Sequence, residues 1–258
     1  MKNLCDITIL IPLRIDSDER KDNMDACLTF LSRYPDIRII VLEADTAPKY
    51  KPSLSCEVLK YCFIEDNDPI FHRTRYLNIL LRQVQTPFAG IWDSDVIVPV
   101  FQISEAIELC RQGATLCYPY DGHFYNVTER HSRLYRQSLN MDILSDNIPY
   151  FLGCPHIVGG AFVVHVAGYL SAGGENENFY GWGPEDSERR ERISTWGLTV
   201  KRTGGCLYHL YHPRGLNSFY ADNEHKRNNL REYLKICKMK KFELQEYILN
   251  SRWIQQLN

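Results

Sequence analysis

The chain has 258 residues, of which 44% are apolar and 12% aromatic, and this is enough for a sizeable buried core. Its 30 basic and 32 acidic side chains leave a net charge of −2, which gives no reason to expect nucleic acid or an anionic membrane as a partner. No apolar run approaches the ~20 residues that a membrane-spanning helix needs. Nine scattered cysteines without a CxxC pair argue against a disulfide framework or a zinc site, so we expect a cytoplasmic protein.

Apolar runs and amphipathic stretches alternate along the first half of the chain. Strands are predicted at residues 7–13, 38–43, 57–64 and 88–92, and helices at 20–34, 71–82 and 104–112, the last with Ser104 as its N-cap. The first apolar run is followed by charged residues and not by a cleavage site, which favours a strand over a signal peptide. The alternation predicts a mostly parallel sheet with helices on both faces, and ligands of such sheets bind beyond the carboxyl ends of the strands.

The second half of the chain is more polar and less regular. Strands are predicted at residues 114–120 and 199–203, and helices at 129–140, 187–196, 223–239 and 242–253. The sequence contains neither an internal repeat nor a low-complexity linker. We therefore predict one α/β domain over residues 1–216, followed by a C-terminal helical extension over residues 217–258.

The predicted strand at residues 88–92 runs directly into Asp93-Ser94-Asp95. In an extended segment this spacing points both carboxylates to the same side, where they would repel each other unless a cation or hydrogen-bond donors shared them. A hard divalent cation, bound through one or two carboxylates and substrate phosphates, would satisfy this arrangement. The alternative is an ordinary polar turn between two strands, since Asp and Ser both favour turns.

Two histidines near the end of the predicted domain form a second candidate group. His209 and His212 lie three residues apart and can converge on one ion if the chain turns between them. Together with Asp95 they would form a mixed oxygen and nitrogen site, which suits Mn²⁺ or a similar first-row ion better than Ca²⁺. The alternative is a pair of half-exposed loop histidines without a ligand.

Residues 181–186 have the unusual sequence Gly-Trp-Gly-Pro-Glu-Asp. The two acids stand beside the start of a predicted helix, where one could act as a general base on a rigid support, or where both simply complement the helix dipole. Trp182 either stacks on a sugar ring or fills the core. Further upstream, Gly159-Gly160 indicates either a bulged strand or a ligand that passes close to the backbone.

The order of these motifs resembles that of the GT-A glycosyltransferases. The specific resemblance is to the β-1,4-galactosyltransferase group and its relatives, the chondroitin-type polymerases and the polypeptide N-acetylgalactosaminyltransferases. The matching segments lie within residues 7–214 and are 11–14, 71–73, 77–78, 93–95, 158–160, 179–186 and 209–212. The resemblance implies an α/β, GT-A nucleotide-sugar-binding fold, with a mostly parallel central sheet flanked by helices.

The resemblance also implies a role for each matching residue. The donor-binding residues would be Pro12 and Arg14 at the uridine, Arg73 near the phosphates, Asp93 at the ribose or sugar, Trp182 at the sugars, and Gly160. The metal ligands of Mn²⁺ (or Mg²⁺) would be Asp95, His209 and His212. Glu185 would hold the acceptor or donor sugar, and Asp186 would be the catalytic base.

The implied reaction transfers galactose or N-acetylgalactosamine from a UDP-sugar to a hydroxyl group of a glycan or lipid-linked acceptor. Asp186 favours inversion, because retaining relatives carry Asn at this place. Pro184 replaces a glycine of the family and Asp16 replaces a second arginine, and both departures bear on the sugars and the uridine contacts. The alternatives are a retaining transferase, a non-catalytic nucleotide- or glycan-binding relative, and a metal-dependent hydrolase or nuclease. Peripheral membrane association stays open.

Overall fold

A computed structural model describes residues 4–34, 36–53, 57–145 and 157–255. Within these ranges the chain forms ten strands and ten α-helices. The strands are β1 (Ile7–Leu13), β2 (Arg38–Asp45), β3 (Leu59–Glu65), β4 (Phe88–Trp92), β5 (Val96–Ile97), β6 (Leu116–Tyr118), β7 (His123–Asn126), β8 (Ala161–His165), β9 (Val200–Arg202) and β10 (Cys206–His209). The helices are α1 (Asp18–Ser32), α2 (Arg73–Leu81), α3 (Val100–Arg111), α4 (Glu129–Ser138), α5 (Asp142–Ser145), α6 (Val166–Ser171), α7 (Glu185–Trp196), α8 (Asn223–Lys238), α9 (Lys241–Leu249) and α10 (Arg252–Gln255).

The main sheet has seven strands in the order β3-β2-β1-β4-β8-β6-β9. Among these strands only β8 is antiparallel to its neighbours, β4 and β6, so the predicted mostly parallel sheet is confirmed. All seven residues of β1 are buried, because helices cover both faces of this central strand. That burial explains why β1 and β4 appear in the sequence as continuous apolar runs.

A second sheet of three short strands, β5-β10-β7, continues from the end of β4. Strand β5 begins directly after Asp95, and β10 pairs with it antiparallel so that His209 lies opposite Val96. These three strands were not predicted, because two to four residues are too few to show a two-residue period. Their pairing nevertheless brings the acids after β4 to the histidines at the end of β10.

Helices α3 and α7 both begin earlier than predicted. Helix α3 begins at Val100 after Pro99, so Ser104 lies in the helix interior and the prediction that it is the N-cap is wrong. The apolar face already starts in the first turn, since Ile103 and Ile107 are both fully buried. Helix α7 begins at Glu185, two residues before the predicted start, which places the two candidate acids in its first turn.

The C-terminal helices α8 and α9 pack against α7. Four of their residues and neighbours form a separate small apolar cluster, namely Ile236, Leu244, Ile248 and Trp253. The indole N–H of Trp253 also donates to the carbonyl oxygen of Gly173 at 3.0 Å, across the boundary between the two predicted segments. The division at residue 216 stays a prediction. Within the described ranges, no helix is both long and apolar enough to cross a bilayer.

Candidate active site

A cavity of about 290 Å³ opens beyond the carboxyl ends of β1 and β4, where ligands of parallel sheets bind. It is lined by Pro12, Arg14, Asp16, Arg20, Phe71, Arg73, Asp93, Ser94, Asp95, Trp182, Glu185, Asp186, His209, His212, Arg214, Asn217 and Ser218. Ten of the eleven site residues named from the sequence are among them. The exception is Gly160, which does not line the cavity.

Asp95 lies between the two histidines. Its Oδ1 is 3.4 Å from Nε2 of His209, and its Oδ2 is 3.3 Å from Nε2 of His212. The backbone fixes this arrangement, because the N–H of Leu210 donates to the carbonyl oxygen of Asp95 at 2.8 Å. Asp95 is 2% exposed, and the two imidazoles that face it are partly buried.

The tautomer of His212 prepares its other nitrogen for a cation. Nδ1 lies 2.8 Å from the carbonyl oxygen of Pro213, and since a carbonyl only accepts, Nδ1 must carry the proton. Nε2 faces Oδ2 of Asp95 at 3.3 Å and is the ring nitrogen available to a cation. One ligand atom each from Asp95, His209 and His212 lie within 4.8 Å of one another. This donor set fits a first-row divalent ion.

Burial and charge act in opposite directions on these groups. Burial alone would raise the pKa of Asp95, but His209, Arg20 and His212 outweigh it and hold that pKa below its usual value. For His209 burial dominates and lowers the pKa, which keeps the imidazole neutral near pH 7. A charged carboxylate beside a neutral imidazole is the protonation state that a metal ion requires of its ligands.

Asp93 faces a different partner. Arg73, the first residue of α2, donates from Nη2 to Oδ1 of Asp93 at 2.7 Å. Burial raises the pKa of Asp93, and Arg73 opposes that rise. The N–H of Asp93 donates to the carbonyl oxygen of Gly160 at 2.9 Å. Gly160 has φ +83°, and a side-chain carbon there would lie 3.0 Å from Phe124. Glycine is therefore favoured at the position whose carbonyl oxygen supports Asp93.

Three buried polar atoms of the cavity lining have no hydrogen-bond partner among the described residues. They are Nη2 of Arg14, Nη1 of Arg73 and Oε2 of Glu185. The remaining nitrogens of Arg14 are bound, Nε to the carbonyl oxygen of Ala44 and Nη1 to that of Asp68, both at 2.7 Å. Phosphate oxygens are suitable acceptors for these unpartnered buried N–H groups, because their charge and geometry match the guanidinium.

Glu185 and Asp186 occupy the first turn of α7, at the far side of the cavity. Asp186 accepts from Nη1 of Arg189 at 2.6 Å, and Nη1 of Arg73 lies 3.9 Å away. Its other oxygen leaves no room for a side chain at Gly159, where an added carbon would lie 2.6 Å away. Glu185 is 9% exposed, and burial followed by the charge of Asp186 raises its pKa to about 8.

Trp182 is 46% exposed, so the alternative that it fills the core is wrong. Its ring meets that of Tyr220 edge-to-face at 4.8 Å. The loop around it is held by Asn229 of α8, whose Nδ2 donates to the carbonyl oxygens of Tyr180 and Trp182 at 3.0 and 3.2 Å. A side-chain carbon at Gly183 would lie 2.7 Å from this Nδ2, so the glycine is needed for packing against Asn229.

Several residues of the cavity carried no signal that the sequence analysis used. They are Arg20, Arg214, Asn217 and Ser218. Arg214 follows the histidine pair by two residues, and that proximity was a usable signal. Arg20 is 75 residues away from Asp95 in the chain, yet it contacts it directly. Only the three-dimensional arrangement shows this contact.

Comparison with solved structures identifies the architecture. The mannosyltransferase of Pyrobaculum calidifontis, solved with GDP-Man and Mn²⁺, has a TM-score of 0.53 at 14% identity, over 98% of this chain and 72% of that chain. Glucosyl-3-phosphoglycerate synthase of Mycobacterium tuberculosis, solved with Mn²⁺, UDP-glucose and phosphoglyceric acid, has a TM-score of 0.54 at 15% identity, over 90% and 80%. The fold is that of the GT-A glycosyltransferases. The sequence resemblance is thereby confirmed at the level of the fold.

Two further comparisons give matches over a smaller part of the chain. The model of the N-terminal domain of galactosyltransferase matches residues 139–213, which is less than half of the chain. The catalytic domain of Drosophila β1,4-galactosyltransferase 7, solved with xylobiose, aligns at 17% identity and a TM-score of 0.47. That alignment covers 76% of this chain but 63% of the Drosophila chain. No curated protein matches the sequence.

Proposed function

We propose that this protein is a metal-dependent, inverting glycosyltransferase that moves galactose or N-acetylgalactosamine from a UDP-sugar to a hydroxyl group of a glycan. The observation that carries the proposal is the convergence of two groups on one cavity. Asp95, His209 and His212 offer a divalent cation three ligand atoms within 4.8 Å, and Asp186 stands across the same cavity. A cation site and a separate carboxylate base are the two parts that this reaction needs.

The donor would lie between Arg14 and the metal ligands. The unpartnered N–H groups of Arg14 and Arg73 would bind its phosphate oxygens. A divalent cation held by Asp95, His209 and His212 would neutralise the charge that develops on the departing diphosphate. Arg73 would contribute a fixed positive charge to the same end, because it is buried and its pKa is raised mainly by Asp93 and Asp186 against the effect of burial.

Asp186 would accept the proton of the acceptor hydroxyl as that oxygen attacks the anomeric carbon. Arg189 donates to Oδ1 of the Asp186 carboxylate, and Oδ2 lies beside Gly159, which has no side chain. Glu185, with a pKa of about 8, is protonated near pH 7 and would donate a hydrogen bond to a sugar hydroxyl. The two neighbouring acids would thereby take different roles, Asp186 as the base and Glu185 as a hydrogen-bond donor.

The acceptor would reach the cavity over Trp182, whose exposed ring offers a stacking surface for a sugar. We propose a cytoplasmic location and a soluble or lipid-linked acceptor, supported by Cys27, Cys110 and Cys117, which are buried free thiols. Peripheral association with a membrane is supported by exposed leucines beside basic residues on α8, namely Leu230 and Leu234. Flotation with anionic vesicles would test it, and a protein that stays with the soluble fraction would contradict it.

The first test is thermal stability in the presence of UDP, GDP and ADP, each with and without Mn²⁺. A ligand at a hundredfold excess over its dissociation constant stabilises a protein by about 2.7 kcal/mol, so a true site shifts Tm clearly. We expect the largest shift with UDP and Mn²⁺ together, followed by turnover of UDP-galactose or UDP-N-acetylgalactosamine. A shift with GDP but not with UDP would reject the UDP donor, and an absence of shifts with every nucleotide would favour the non-catalytic, glycan-binding alternative.

The second test replaces the metal ligand. Asp95→Asn should abolish the Mn²⁺-dependent part of the Tm shift, while Asp22→Asn removes an exposed carboxylate on α1 and should leave that shift unchanged. Full metal-dependent transfer by Asp95→Asn would refute the assignment of this residue. The anomeric configuration of the product, measured by NMR, separates the inverting from the retaining reading.

A further inference from the structure

A positively charged side chain is already present at the predicted metal site. Arg20, in the first turn of α1, extends its side chain into the cavity. Its Nη1 donates to Oδ2 of Asp95 at 2.9 Å, and its Nε donates to Oδ1 of Asp16 at 2.7 Å. Arg20 therefore engages the same carboxylate that the two histidines face.

The guanidinium also covers His212. Its Nη2 lies 3.2 Å from Nδ1 and 3.4 Å from Nε2 of that ring. Nearly equal distances to both ring nitrogens place Nη2 over the face of the imidazole, because an in-plane position would overlap the carbon between them. Nη2 consequently does not lie in the ring plane in front of Nε2, and Nε2 remains directed at Oδ2 of Asp95, 3.3 Å away.

A divalent ion bound by Oδ2 of Asp95 and Nε2 of His212 must approach both atoms to about 2.0–2.2 Å. Arg20 opposes that approach in two ways. Its hydrogen bond occupies the oxygen that the ion needs, and its positive charge repels the ion at short range in a buried site. The opposite reading makes Arg20 an outer partner that orients Asp95 for the metal. The two readings predict opposite signs for the effect of removing Arg20.

We propose that Arg20 is an internal competitor of the divalent cation for Asp95 and that the donor diphosphate draws it away. This inference rests on the proposed function, because it requires the metal site and the nucleotide. Arg20 lines the same cavity as Arg14 and Arg73, so a diphosphate bound there lies within its neighbourhood. Phosphate oxygens accept the guanidinium fork in two parallel bonds, and they offer Arg20 the anionic partner that it gives up at Asp95.

The consequence is coupling between metal and nucleotide. Mn²⁺ alone must displace Arg20 from Asp95, whereas Mn²⁺ with a nucleoside diphosphate finds Arg20 transferred to the phosphates. Each ligand must then increase the affinity of the other by the same factor. The chain would thereby hold the metal firmly only when the donor is present.

Isothermal titration of Mn²⁺, with and without saturating UDP or GDP, tests the proposal on three proteins. They are the wild type, Arg20→Met, which keeps the length of the side chain and removes its charge, and the control Lys21→Gln, which removes an exposed charge from the same helical turn. We expect Arg20→Met to bind Mn²⁺ alone about tenfold more tightly than the wild type, because the ion no longer has to break a charged hydrogen bond to Asp95; tenfold corresponds to about 1.4 kcal/mol. Its coupling to the nucleotide should fall by a similar factor, and Lys21→Gln should match the wild type.

Three results would overturn the proposal. Weaker Mn²⁺ binding by Arg20→Met would assign Arg20 the orienting role, and unchanged affinity would assign it none. Failure of the wild type to bind Mn²⁺ with either nucleotide would refute the proposed function and this inference with it. Arg20→Lys keeps the charge but loses the fork, so under the proposal it should bind Mn²⁺ alone less tightly than Arg20→Met does.

Discussion

Two sets of buried charges stand side by side in this protein, and they differ in how completely they are paired. Beneath α7, Arg189 binds both oxygens of Glu175, at 2.7 and 3.1 Å, and Arg192 binds Glu188 at 2.8 Å. These four side chains are at most 1% exposed. In the cavity, by contrast, Arg14, Arg73 and Glu185 each keep a buried atom without a partner among the described residues.

The difference separates support from ligand binding. A buried charge whose hydrogen-bonding capacity is filled holds helices in place and has nothing left for a ligand. A buried charge with an unfilled position is costly in the free protein, and a ligand of opposite charge removes that cost. Asp186 lies at the border, because Arg189 of the paired set and Arg73 of the cavity both approach it.

The largest effect is expected where the two sets meet. Asp186→Asn should lower kcat by about 10²–10⁴, the usual contribution of a general base, and should leave nucleotide binding and Tm nearly unchanged. Steady-state kinetics with a UDP-sugar measure the first and thermal shifts the second. The control Glu191→Gln changes an exposed acid on the same helix. Full turnover by Asp186→Asn would remove this residue as the base.

Substitutions in the fully paired set of buried charges should lower the free energy of unfolding. Arg189→Met leaves Glu175 buried without its partner, and breaking a buried ion pair costs about 3–5 kcal/mol of unfolding free energy. The neighbouring Arg190→Met breaks a half-exposed pair with Glu191 and should cost no more than about 1 kcal/mol. Urea unfolding of both variants gives the comparison. Equal losses of unfolding free energy would contradict the expectation that the buried ion pair contributes more to stability than the half-exposed one.

The raised pKa of Glu185 should make the free energy of unfolding depend on pH. Its pKa is about 8 in the folded chain against 4.5 as the ordinary value. Between these values the folded chain keeps a proton that the unfolded chain has lost, so the free energy of unfolding falls as pH rises through this window. Glu185→Gln should flatten that decline, as measured by urea unfolding from pH 4.5 to 8. An identical slope in the variant would show that the carboxyl is ionised in the folded protein.

The smallest effect is expected at the exposed rim. Trp182→Ala should raise the KM for the acceptor about threefold to tenfold, the loss of one aromatic contact, without changing the KM for the donor. Tm should stay near that of the wild type, because the ring is 46% exposed. A larger effect on the donor KM would move Trp182 to the donor side of the cavity.

The sequence predicted those parts of the molecule whose pattern is local. Continuous apolar runs predicted β1 and β4, since these strands are buried on both faces. The motif residues Asp95 and His212 were predicted to meet, and they lie 3.3 Å apart. These successes depend on residue type and spacing within short segments.

The remainder depends on contacts between distant parts of the chain. Gly160 was expected to touch the donor, but its carbonyl oxygen instead supports Asp93 from behind the cavity. Gly183 is required for packing against Asn229 of α8, far along the chain. Arg20 faces Asp95 through a choice of side-chain conformation. No local pattern encodes any of these three relations.

Asn229 also has a consequence for the order in which the protein matures. It is 1% exposed and bridges the carbonyl oxygens of Tyr180 and Trp182, so it holds the loop on which the acceptor would rest. During synthesis the α/β core emerges from the ribosome first, and domains generally fold as their residues become available. The Trp182 loop gains its support only after α8 has been made. A nascent chain would therefore be able to form its nucleotide pocket before it could present an ordered surface to an acceptor.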